Sequence, residues 1–366
     1  MNIPDVYSIK LDTLDEDSSV KLLYKVSEKK GKEYEDLFRQ VVRKCECLPL
    51  AIVIIGRRFK DRESKRFIYR FINSPNRMAK NIPGVDAIYD SFDTSYVLLN
   101  NDEKNAFKVL GISPCMDMTP NSCAAMLNVE EDFAALILDS LYDKRLIIES
   151  GDDRYRLHDL MREFARDKYD IENGLEKREW IKRLILFYEK AIAISNNYLY
   201  PNTISLALDI NISEKKEMDW MKWLGDERIN LVACLDYLFS IDCEKEYIEF
   251  AHLLSSYIRN CFLGDDVLKI AENAVKFSEK NNYDYYLAVS LMDLGLANEN
   301  VGNFTDAIIL FHRAEKIWRN KFCDTELAYA FSNEGFTLER LGKYDEALDI
   351  LQNALELYKK MIIYMA

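Results

Sequence analysis

The stretch Leu291-x2-Leu294-Gly295-x2-Asn298-x3-Gly302-Asn303-Phe304-x2-Ala307-x3-Phe311-x2-Ala314 returns forty residues later as Phe331-x2-Glu334-Gly335-x2-Leu338-x3-Gly342-Lys343-Tyr344-x2-Ala347-x3-Leu351-x2-Ala354. Every landmark moves by the same interval, and self-similarity at a fixed period of this size marks a stacked repeat. Each copy has small residues where two helices must approach closely, a glycine just after the first helix to close its end, and aromatic or aliphatic knobs one or two turns away. A two-helix hairpin that stacks on its neighbour needs that arrangement. Ala274 stands a further forty residues before Ala314, and 251–280 alternates two apolar-faced segments without the glycines, which reads as a degenerate copy.

The pattern resembles the tetratricopeptide repeat in a long form, with about six residues beyond the usual unit of roughly 34. The resemblance implies an α-solenoid over 246–366 that takes a protein or small-ligand partner in a groove lined by its inner helices. Asn298 and Asn333 are the candidate groove residues. The last helix, ending Met361-Ile-Ile-Tyr-Met-Ala366, is apolar and uncapped, which points to further repeats or to self-association.

Composition agrees with a mainly α protein. The chain has 366 residues, more than the roughly 250 to 300 at which single cores stop growing, so several domains are expected. Only 12 Gly and 7 Pro occur, so turns are few and elements long. A net charge of −13 repels phosphate backbones, which argues against nucleic acid as the main partner. One basic block, Arg57, Arg58, Lys60, Arg62, Lys65, Arg66, Arg70, Arg77 and Lys80, reads as a solvated helix face and its connector. Eight cysteines include no C-x-x-C pair and none with a histidine at zinc-ligand spacing, so they read as buried thiols of a reducing compartment. The longest apolar run, Leu48 to Ile55, is far below the ~20 residues of a membrane span. With no basic stretch leading into an apolar one at the amino terminus, a cytoplasmic location is expected.

In the amino-terminal half, a strand-like start at Leu11 leads into the Asp15–Ser18 cluster, which suits a helix cap, and then into apolar residues at helical steps. A second helix carries Leu37, Phe38, Val41, Val42 and Cys45 on one stripe and ends at Cys47-Leu48-Pro49-Leu50-Ala51. This pentapeptide resembles the G-L-P-L-A motif of the NB-ARC class of STAND ATPases, with Cys47 in place of the glycine. Further on, Ser95-Tyr96-x2-Leu99-x7-Phe107-x2-Leu110-Gly111-Ile112-x-Pro114 matches the spacing of that family's winged-helix domain. Leu141-x4-Leu146-Ile147-Ile148 reads as a helix running into a strand. Arg154-Tyr155-Arg156-Leu157-His158-Asp159-Leu160-Met161-Arg162-Glu163-Phe164-Ala165 resembles the R-Y-x-[ML]-H-D-L-[LM]-R-x-[FY]-A signature. Beyond it, Trp180, Leu184, Phe187, Tyr188 and Ala191 share one helical face. Trp223-Leu224-x2-Glu227-x2-Asn230-Leu231 then resembles the W-L-x-x-E-x-x-N-L segment before the repeats of bacterial regulators of this type.

The resemblance implies a signalling or transcription-control protein, switched by ADP and ATP in its complete form. Its domains would be an NB-ARC helical subdomain over 1–80, a winged-helix domain over 81–170, a helical connector over 171–245 and the repeats over 246–366. It assigns Pro49 to the adenine and His158 to the β-phosphate of ADP. No G-x-x-x-x-G-K-[ST] cradle occurs in the sequence, so neither catalysis nor tight nucleotide binding by this chain is expected, and the effector and P-loop ATPase are placed outside it. A nucleotide-independent adaptor is the alternative. His158-Asp159 lacks the further ligands of a metal phosphohydrolase, His252 and His312 read as ordinary helix residues, and no metal site is assigned. The third helix of the winged unit, near Asp132 to Lys144, carries Asp132, Asp139 and Asp143, which disfavours DNA contact.

Overall fold

A computed structural model of the chain describes residues 14–45, 47, 49–60, 65–72, 85–172, 177–201, 219–261, 264–321 and 323–365. It forms two compact units, 1–113 with 117–180, and 114–116 with 181–366. The first contains α1 (Glu16–Ser27), α2 (Glu35–Lys44), α3 (Pro49–Lys60), α4 (Lys65–Ile72), α5 (Val85–Tyr96), α6 (Asn101–Ile112), α7 (Pro120–Leu127), α8 (Glu131–Asp143), β1 (Ile148–Gly151), β2 (Arg154–Arg156) and α9 (Asp159–Glu172). In the second lie α10 (Lys177–Leu199, from residue 181 on), α11 (Trp220–Ser240), α12 (Glu244–Cys261), α13 (Gly264–Lys280), α14 (Asp284–Asn300), α15 (Phe304–Lys321), α16 (Asp324–Arg340) and α17 (Tyr344–Met365). The chain is mainly α, as its composition and periodicity require. Among the described residues no helix is long and apolar enough to cross a membrane.

The expected cap at the start of α1 is present: Asp15 accepts from the Ser18 amide at 2.8 Å. The strand-like start near Leu11 lies outside the described residues, as do parts of the basic block. Leu37, Phe38, Val41, Val42 and Cys45 are all buried on one stripe of α2, so the apolar spacing did report the core face.

Helices α6 to α8 are followed by the antiparallel β1–β2 hairpin, and Met118 forms an isolated bridge to Tyr155 beside it. Asn100 and Glu103 cap α6 reciprocally, and Glu103, buried at 4% exposure, also takes the hydroxyl of Ser140 at 2.6 Å and the ammonium of Lys144. One carboxylate thus caps α6 and ties it to α8. The glycine at position 111 has a steric reason: a methyl there would sit 2.5 Å from the Ala165 methyl of α9. Phe164, fully buried on the same helix, is ringed by Tyr89, Phe92, Tyr96 and Phe107 at 5.3–6.1 Å.

In the second unit the sequence repeat becomes three helix pairs, α12–α13, α14–α15 and α16–α17, and the degenerate copy does form a hairpin. The glycines divide into two roles. Gly302 and Gly342 sit at φ +87° and +76°, each just past the end of a first helix. There the Gly302 amide donates to the Glu299 carbonyl at 3.1 Å and the Asn303 amide to the Asn298 carbonyl at 2.8 Å, the paired bonds of a Schellman stop, which Gly342 and Lys343 reproduce. Gly295 and Gly335 lie inside their helices, where a methyl would stand 2.4 Å from the Phe311 ring and 2.5 Å from Leu351 Cγ of the paired helix. Phe311 and Ala314 are fully buried in that seam, with Trp318 beneath them.

Gly295→Ala should therefore lower stability by about 1–3 kcal/mol through overpacking. Gly225→Ala, on an exposed turn of α11 with open space around it, should raise stability by about 0.5–1 kcal/mol. Urea denaturation of the two variants beside the parent measures both changes.

Candidate functional site

The sequence-derived nucleotide contacts fall at two helix starts in the first unit. Pro49 is the first residue of α3, where a missing amide costs nothing, and is exposed. His158 is also exposed and follows the hairpin; its carbonyl accepts from the Arg162 amide at 2.8 Å. His158 itself therefore occupies the capping position of α9, and Asp159 begins the helix. Tyr155, the second residue of the same signature, is buried and donates its hydroxyl to Asp139 of α8 at 2.8 Å. The signature thus fastens the hairpin to α8 and leaves its histidine in solvent.

Cys47 stands where the related motif has glycine, and its φ is +55°. Its amide donates to the Val42 carbonyl at 2.9 Å and its carbonyl accepts from the Leu14 amide at 3.1 Å, so the left-handed turn is fixed at both ends. A side chain there is strained, which is the physical reason for a glycine at that position.

The connector motif forms a buried polar network within the second unit. Glu227, 3% exposed, accepts from the Tyr188 hydroxyl and the Asn230 amide, both at 2.9 Å. Asn230 in turn accepts from the Met116 amide at 3.0 Å. Burial and the neighbouring Cys115 and Glu227 hold the Tyr188 phenol well above its ordinary range.

The repeats place polar groups at the ends of their first helices. Arg259 of α12, Leu296, Glu299 and Asn300 of α14, and Arg340 of α16 line one cleft of about 180 Å³. The Arg340 guanidinium lies 3.5 Å from the Glu299 carboxylate, whose pKa burial raises. A neighbouring hollow between α12, α13 and α14 is lined by Ser255, Arg259, Val267 and Asp293, and Asp293 holds the buried His252 at 2.7 Å. The predicted groove residues Asn298 and Asn333 sit half-buried on α14 and α16. Their amides donate to the Leu294 and Tyr329 carbonyls one turn back, at 2.9 and 2.8 Å. Asn300 and Arg340 stand at the forty-residue period, at the ends of their helices, so reading polar residues along that period would have found them; Arg259 lies one position out of that register and shows no such signal.

A tetratricopeptide repeat family model matches residues 286–360. That stretch of the chain is tetratricopeptide repeat. The α12–α13 pair before it adds a hairpin of the same kind outside the matched residues. The chain is also similar to two proteins called regulatory protein AfsR. One, from Streptomyces griseus, is 26% identical over 195 residues, covering 51% of this chain and 20% of the relative. The other, from Streptomyces coelicolor, is 26% identical over 197 residues with the same coverages. The chain thus aligns with about a fifth of the length of these relatives. A crystal structure of a STAND protein with a tetratricopeptide repeat sensor, from Pyrococcus horikoshii, shares 15% identity, with 96% of this chain and 61% of that one covered at a TM-score of 0.34. The resemblance to STAND-type regulators read from the sequence agrees with the repeat match and with the two regulatory relatives.

Cys47→Gly should stabilise the first unit by about 0.5–1 kcal/mol by relieving the left-handed turn. The midpoint of thermal unfolding followed by circular dichroism would rise, and an unchanged or lower midpoint would mean that Cys47 makes compensating contacts.

Proposed function

We propose that this chain belongs to a regulatory protein of the NB-ARC (STAND) class, in which the repeat stack is the arm that senses a partner or ligand. The observation that carries the proposal is the cleft where three successive first helices bring Arg259, Glu299 and Arg340 together. Two guanidiniums on a rigid scaffold suit a carboxylate-bearing partner, such as an acidic peptide, because arginine binds carboxylate through two parallel hydrogen bonds. The similarity to the AfsR regulators supports the regulatory part of the reading.

The order of elements in the first unit supports the switch part. Three helices α6–α8 followed by a hairpin are the element order a winged helix would have, and the exposed His158 at the start of α9 would be able to meet a phosphate. These residues fit a nucleotide only in part. Pro49 and His158 are both exposed, yet the sequence contains no phosphate cradle, so they would supply contacts to ADP or ATP held mainly by other residues. In that role the His158 imidazole would hold a phosphate oxygen by a charge-assisted hydrogen bond. Helix α8 presents Asp132, Asp139 and Asp143, a charge pattern that opposes DNA backbone contact. The setting that fits an acidic chain with free cysteines and no membrane-length helix among its described residues is the cytoplasm.

A nucleotide-independent adaptor is the second reading, and the missing cradle is what favours it. Titration calorimetry with ADP should give no affinity tighter than roughly micromolar for this chain. Nanomolar binding would overturn the requirement for the cradle. For the sensing arm, an acidic peptide selected by display against the chain should lose at least about tenfold in affinity when Arg259 and Arg340 are both changed to Ala. Undiminished affinity would remove the cleft from the proposal.

A further inference from the structure

The seam between the second and third repeats holds a group of side chains that the function above does not use. His312 and Glu315, three residues apart on one face of α15, meet Glu334 of α16, and one ligand atom from each lies within 4.8 Å of the others. His312 Nε2 is 2.6 Å from Glu334 Oε1. The two carboxylates are deeply buried, at 7% exposure for Glu315 and 3% for Glu334, whereas the His312 side chain is 50% exposed. One oxygen of each, Glu315 Oε1 and Glu334 Oε2, is sealed from solvent with no hydrogen-bond partner among the described residues.

Two neighbouring carboxyls at this depth cannot both stay ionised without a cation: either one proton is shared between Glu315 and Glu334, or a positive charge joins them. Arg319, one turn beyond Glu315 on α15, offers partial compensation from a distance, and its guanidinium stacks over Phe331 instead. An imidazole nitrogen and two carboxylate oxygens form the donor set of a first-row divalent cation. Tetrahedral ligands at ~2.0–2.1 Å from zinc lie roughly 3.3 Å from one another. His312 Nε2 and Glu334 Oε1, now 2.6 Å apart, would have to part to admit an ion. All three ligand atoms lie within 4.8 Å, so small side-chain adjustments would complete the set, with the half-exposed His312 leaving a fourth position open to solvent.

We infer that His312, Glu315 and Glu334 form a binding site for a divalent transition-metal ion, zinc or a close relative, that staples the second repeat to the third. Such an ion would bridge α15 and α16 and bias the stacking of the solenoid, so that metal occupancy sets the spacing of the first helices that line the partner cleft.

The test uses the full chain, stripped with a chelator and titrated with zinc chloride alone in calorimetry and thermal unfolding. One equivalent should bind with a dissociation constant of about micromolar or tighter and raise the unfolding midpoint by several degrees. His312→Ala, a change at a half-exposed position that leaves the fold in place, should weaken that binding at least about a hundredfold, while His252→Ala leaves it intact. Cobalt(II) should give the visible absorption of a nitrogen- and oxygen-ligated tetrahedral ion, lost in His312→Ala. Three results would each overturn the inference: no binding below millimolar, equal binding by His312→Ala, or a cobalt–thiolate charge-transfer band showing that cysteines hold the ion. A fourth is a Glu315→Gln chain that is stabilised without metal and indifferent to zinc, the behaviour of two carboxyls that share a proton.

Discussion

The repeat stack depends on an absent atom. Gly295 and Gly335 let the ring of Phe311 and the branch of Leu351 lie where any other residue would place a methyl group, within 2.4 and 2.5 Å of it. That approach sets how closely the two helices of each hairpin pack, and the Schellman stops at Gly302 and Gly342 then turn the chain back after a fixed number of residues. With packing and turn both fixed, the ends of α14 and α16 come out in register, and the end of α12 lies beside them. The cleft bearing Arg259, Glu299 and Arg340 is a consequence of that regularity.

Much of this was legible because it repeats. The forty-residue period gave the hairpins, the close-approach positions and the helix stops, since each is a local requirement that the same residue types meet again. In the first unit the apolar stripe of α2 and the cap at Asp15 were equally readable, being properties of one element. The Arg154–Ala165 signature spans β2 and the start of α9, with His158 at the helix's capping position.

What stayed hidden depends on groups far apart in sequence or on backbone conformation. The positive φ of Cys47 leaves no trace in a cysteine's identity. Glu227 and Asn230 stood out in the sequence only as letters of a motif, and only packing shows that they meet Tyr188 and the Met116 amide. The approach of Glu334 to His312 and Glu315 joins different repeats, and its partners on α15 have no counterpart at the forty-residue period. There burial and the adjacent Glu334 push the Glu315 carboxyl up to about 9. Asn298 and Asn333 stand on the first helices of the two repeats, where their side-chain amides donate to the carbonyls one turn back.

The repeat stack and the proposed switch make different demands on the chain: the first would need a rigid surface, the second exposed contacts at helix starts. The rigid surface can be tested on this polypeptide alone. Amide hydrogen exchange of the full chain, with and without a display-selected acidic peptide, reads which helices the ligand covers. Protection concentrated at the carboxy-terminal turns of α12, α14 and α16 is the expected result. Protection confined to α13, α15 and α17, or to the first unit, would contradict a sensing surface built from the first helices of the repeats.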